Sequence, residues 1–116
     1  MANQHHLELL IQEQEKWNAW RQQHPDIQPD FSQAQLRGAH LGGIDLSGAN
    51  FMEADLSGAD FAGANLVNAN FSKADLTGVC FRGADLSGAN LSGADMRLAT
   101  LEGARLSGAD LTNTKK

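Results

Sequence analysis

Asp55, Asp75 and Asp95 stand twenty residues apart, and stacked carboxylates of that kind could imitate a row of phosphates. The other groups able to do chemistry are four histidines, one cysteine and a series of serines. His5 and His6 are adjacent and cannot share a helical face toward one metal, while His24 and His40 stand far from them in sequence. Each serine past residue 31 follows a large apolar residue and reads as a turn residue. Cys80 is single, which excludes an internal disulfide, and nothing beside it in sequence suggests an activated thiol. These residues predict no catalytic constellation, no metal site and no cofactor.

Charge narrows the partners further. A net charge of −5 and a pI near 5.1 argue against direct binding to nucleic acid or to an anionic membrane. No run approaches the ~20 apolar residues of a membrane span, and the N-terminus lacks the basic and apolar segments of a signal peptide. The expected compartment is the cytoplasm.

Two elements must position these groups. Residues 1 to about 24 contain neither Gly nor Pro, and Leu7, Leu10, Ile11, Trp17 and Trp20 form one apolar stripe at helical spacing, interrupted by Gln14. Asn3 is placed to start this helix and Pro25 to stop it.

From Phe31 a five-residue register runs unbroken to Leu111, with eleven Leu, five Phe and Met96 as its seventeen centres. Ala stands two places before fourteen of the centres, Asp or Asn one place before twelve, and Gly two places after eleven. On an α-helix a five-residue step spreads the centres around the cylinder, and on a straight strand alternate centres face water. A chain that bends once per pentapeptide instead turns every centre and its Ala inward, and its coils stack as a solenoid. A twenty-residue coil sets Phe31 over Phe51, Phe51 over Phe71 and Phe61 over Phe81; a fifteen-residue coil pairs none of them. Four sides per coil and about four coils follow. Leu or Phe with Ala fills a narrow tube, Asp and Asn accept turn hydrogen bonds, and Gly takes the corner.

The A(D/N)LXX pattern over residues 29–113 resembles the pentapeptide repeat family, whose fold is a right-handed quadrilateral β-helix. The run WNAWR, Trp17 to Arg21, followed by Pro25 and by Pro29, Asp30 and Phe31, is similar to the N-terminal cap helix of cyanobacterial members. The resemblance implies an all-β solenoid with an N-terminal α-helical cap, divided into a helix and linker at 1–28 and a β-helix at 29–116. It implies two functions. One is a non-catalytic scaffold or regulatory module that binds proteins; the other is mimicry of DNA toward a type II topoisomerase, as in the best-understood relatives.

The column Asp55, Asp75, Asp95 is the surface such mimicry would use, although Arg37 and Arg97 share its face. Leu10, Trp17 and Trp20 are expected to cover the first coil near Phe31 and Leu36. At the other end, LTNTKK offers no cover for Met96, Leu101, Leu106 and Leu111. That coil is expected either to meet a protein partner or a second copy, or to be closed by its own tail, with Lys115 and Lys116 discouraging indiscriminate stacking.

Overall fold

A computed structural model describes residues 2–12 and 14–116. Fourteen parallel bridges run from Asp30–Asn50 to Asp95–Lys115, and each joins residues twenty apart, so four pentapeptides complete one coil. Bending at every fifth residue keeps each side too short for more than an isolated bridge.

The bend has a local cause. Eleven glycines two places after their centres adopt φ between 66° and 73°, in the left-handed region where a side chain is costly. Gln33, Glu53, Asn68, Lys73, Leu98 and Asn113 take the same conformation without being glycine, so the repeat imposes the corner even where the residue resists it. Corners are closed by turns such as Ala54 N–H to the Phe51 carbonyl at 3.0 Å.

Coils are joined by a directional ladder. The Phe51 and Glu53 amides donate forward to the Asn70 and Ser72 carbonyls, while the Asn70 amide donates back to the Ala49 carbonyl, at 2.7–2.9 Å. Every side thus sends two N–H groups and one C=O toward the C-terminal end and receives the reverse.

Inside, the centres from Leu46 through Leu91 are fully buried, as are the alanines paired with them. Phe31, Phe51 and Phe71 stack at 5.2 and 5.0 Å on one wall; Phe61 and Phe81 stack at 5.5 Å on the facing wall. Successive rings also meet edge to face across the tube at 5.8–5.9 Å, an arrangement aromatic quadrupoles favour. The stacking matches the sequence expectation; the cross-tube contacts were not foreseen.

The expected continuous N-terminal helix is two. Helix α1 spans Gln4–Leu10, begun by the Asn3 side chain accepting from the His6 amide, and α2 spans Gln14–Gln23. Met1 and Glu13, which that expectation included, lie outside the described residues. Ile11 leaves the apolar stripe and is 78% exposed. The physical reason is length: a straight helix over residues 4–23 would be ~30 Å long. The molecule itself is 26 × 23 Å across its shorter axes. Breaking the helix lets both segments lie on the first coil.

Candidate interaction surfaces

The acidic column exists as a line in space, since Asp55 bridges Asp75 and Asp75 bridges Asp95. Each carboxylate is engaged in its own turn. Oδ1 of Asp55, Asp75 and Asp95 accepts the amide two residues on, at 3.2, 3.0 and 3.2 Å, and Ser57 and Thr77 add their hydroxyls. Arg37 grips Asp55 and Arg97 grips Asp95, both at 2.6 Å. Burial pulls the Asp55 carboxyl upward, but the Arg37 and Ser57 hydrogen bonds outweigh it and leave its pKa lowered. The Arg97 side chain, then its amide, brings Asp95 down to about 2. Gln35 and Lys115 end the column. Two guanidiniums and a lysine along three carboxylates leave little of a phosphate-like field.

The helices meet the first coil through polar groups as well as apolar ones. Leu10 and Trp17 are buried, Trp20 is half-buried, and the Trp17 ring lies 5.7 Å from Phe31, extending the aromatic column. Leu36 is buried as well. Around them, the Asn3 amide and the Gln14, Trp17 and Arg21 side chains donate to the carbonyls of Asp30, Gly42, Asp45 and Ser47, at 2.6–2.9 Å. His6 Nδ1 and Asn18 Oδ1 accept the amides of Asp30 and Asp45, both at 2.9 Å. Burial, with His5 second, lowers the His6 pKa, in keeping with a neutral ring accepting at Nδ1.

Sequence reasoning missed the buried His6 and Arg21 and treated Gln14 as an interruption. The signal was present: Gln14, Trp17, Asn18 and Arg21 follow helical spacing, so polar groups share the face of the tryptophan.

At the opposite end burial fades. Met96 is only 7% exposed, and its amide donates to the Lys115 carbonyl at 2.7 Å, so the expected bare edge does not include it. The following turn reaches back beneath that side. Leu101 is 36% exposed and Leu106 and Leu111 are half-buried, while Leu98 projects outward at 84%. Among the described residues, the amides of Leu101, Gly103, Leu106, Gly108, Leu111 and Asn113 have no acceptor, and the carbonyls of Ala99, Ala104 and Ala109 have no donor. Among those residues no three His, Cys, Asp or Glu side chains are placed to hold a metal ion, and no helix is long and apolar enough to cross a membrane.

The sequence profile of the family described as Pentapeptide repeats matches residues 30–66, 54–93 and 80–115, in eight copies. The chain belongs to the pentapeptide repeat family. Among solved structures it is similar to the pentapeptide repeat protein Rfr23 from the cyanobacterium Cyanothece 51142, at 35% identity over 76% of this chain and a TM-score of 0.73. It is similar also to a pentapeptide repeat protein of the Arabidopsis thaliana thylakoid lumen, at 30% identity over 73% of this chain and a TM-score of 0.70. The chain spans 60% and 59% of the lengths of these two. Full-length QnrB1, a plasmid-mediated fluoroquinolone resistance protein, is 28% identical over 75% of this chain and 60% of its own length, with a TM-score of 0.34. Among curated proteins none matches. Pentapeptide repeat membership and these neighbours make the solenoid a right-handed β-helix.

Proposed function

We propose that this pentapeptide repeat protein is a non-catalytic, cytoplasmic scaffold that binds another protein through its C-terminal coil, with the N-terminal helices capping the first coil. The observation that carries the reading is the way the first coil takes up a foreign segment, with apolar side chains and backbone groups engaged together. At the first coil the helices supply a partner for the backbone groups of Asp30, Asp45 and Ser47 and bury Trp17 against Phe31. On the coil at residues 97–116, half-buried leucines and amides that point along the solenoid axis form the same kind of surface. Apolar area joined to a free hydrogen-bonding edge is the usual chemistry of β-augmentation. The lateral faces offer less. Their Asp and Asn side chains are engaged in turns, and their exposed apolar residues, such as Met52, stand singly.

DNA mimicry toward a topoisomerase is the weaker reading, because Arg37 and Arg97 lie in the acidic column itself.

Affinity capture from an extract of the source organism tests the scaffold. Proteins held by the wild type should be lost with Leu111→Lys, which places a charge on the terminal coil, and kept with Arg37→Ala on a lateral face. Retention of every captured protein by Leu111→Lys would remove the C-terminal coil as the binding surface.

A further inference from the structure

We propose that helix α1 is a pH-operated latch on the first coil: protonating His6 removes the acceptor that holds the Asp30 amide, and Gln4–Leu10 swings clear while α2 stays seated.

The two helices hold the coil by equivalent clamps. Within the solenoid, a residue one place before a centre turns both of its backbone groups toward the preceding coil. Asn50, for example, donates to the Pro29 carbonyl and accepts from the Phe31 amide, at 2.8 and 2.7 Å. At Asp30 and Asp45 the helices stand in for that preceding coil. Asp30 accepts from the Asn3 amide at 2.8 Å and donates to His6 Nδ1 at 2.9 Å. Asp45 accepts from the Trp17 indole at 2.6 Å and donates to Asn18 Oδ1 at 2.9 Å. The clamps differ chemically at one atom. The Asn18 oxygen accepts at any pH, whereas a ring nitrogen accepts only while it carries no proton. An imidazolium at His6 would set one N–H against another. Helix α2 has no such weakness, because it meets the coil through Gln14, Trp17, Asn18 and Arg21, none of which changes charge near neutral pH.

The surroundings of His6 sharpen the effect. The side chain is buried, with its ring 5.2 Å from Trp20 and 6.3 Å from Phe31. The charged groups acting on it are His5 on its own helix, Asp30 on the coil and Arg21 on α2. Burial is the largest cause lowering its pKa and His5 the next; Asp30 opposes them and Arg21 adds to them. A histidine held below its ordinary value gives stability that is complete above pH ~6.5 and is lost as the pH falls from there toward the folded value. The latch therefore opens on the acid side. His24 shows the opposite arrangement: its Nδ1 donates to the Trp20 carbonyl at 3.0 Å, a bond that an imidazolium keeps. His40 borders a cleft at the other end of α1 with Leu10, Ile11 and Leu36. Release of α1 takes Leu10 off that cleft and frees both backbone groups of Asp30, so acid exposes a docking edge on the first coil.

The test is amide hydrogen exchange, with nitrogen-15 spectra, on the 116-residue protein from pH ~7.5 to ~5, a span that ends above the ordinary carboxylate range. Protection of the Asn3 and Asp30 amides should fall at least ~tenfold toward acid, in step with titration of the His6 ring, while that of Asp45 and Asn50 stays within ~threefold. His6→Asn offers Asp30 the acceptor that Asn18 offers Asp45, and should keep α1 docked throughout. His5→Gln, His24→Gln and His40→Gln should each leave the transition in place. Equal loss at Asp30 and Asp45 means that the helices leave together and overturns the latch. Unchanged protection at Asp30 overturns it too, as does a transition that survives His6→Asn. In the wild type, a release whose midpoint departs from that of the His6 ring overturns it whatever the variant does.

Discussion

At the scale of the residue, the repeat's Asp and Asn are explained by the hydrogen bond they accept and not by the charge some of them carry. Asp75 Oδ1 takes the Thr77 amide at 3.0 Å and its hydroxyl at 2.7 Å, and Asn70 and Asn90 accept the Ser72 and Ser92 amides in the same way without a charge. Asp75→Asn keeps that acceptor and should change stability by less than ~0.5 kcal/mol, whereas Asp75→Ala leaves an amide unpaired and should cost about 1 kcal/mol. Urea unfolding of the two variants reads the difference. An Asn variant as unstable as the Ala variant would mean that the carboxylate charge matters, and would restore interest in the column as an electrostatic surface.

At the scale of the element, the two helices act on the first coil through one central side chain. Trp17 is fully buried against Phe31, and its indole N–H donates to the Asp45 carbonyl at 2.6 Å. Trp17→Ala removes that ring and should cost ~3–5 kcal/mol in the packing of the helices on the coil. Because solenoid stability is a sum of nearest-neighbour terms, the loss should stay local. Amide hydrogen exchange should accelerate at Phe31, Leu46 and Phe51 and remain slow at Phe81 and Leu86. Unchanged exchange in the first coil would mean that the helices rest on it without holding it, and the capping role would fall.

At the scale of the whole molecule, stability comes from a zipper of rings running along the tube. Phe71 stacks on Phe51 at 5.0 Å and meets Phe61 and Phe81 edge to face, at 5.8 and 5.9 Å, with none of its side chain exposed. Phe71→Ala should cost ~3–5 kcal/mol and Phe71→Leu less than ~1.5 kcal/mol in guanidinium unfolding, since leucine already fills the equivalent place at Leu91. Equal costs would show that ring geometry, not volume, holds the core. The sequence by itself determined the five-residue side, the twenty-residue coil and the inward face, because every unit repeats the same inward Ala and centre, and of the spacings that align the phenylalanines only the four-sided coil leaves them an interior. It also marked Asp55, Asp75 and Asp95 as a column and Trp17 as a contact of the first coil. Only the tertiary structure decided that the helix breaks after Leu10, that His6 and Arg21 are buried among backbone groups, that the Met96 amide pairs with the Lys115 carbonyl, and that Arg37 reaches Asp55 on the next coil. Those outcomes depend on segments far apart in the chain meeting at one surface, and a local period carries no record of such meetings.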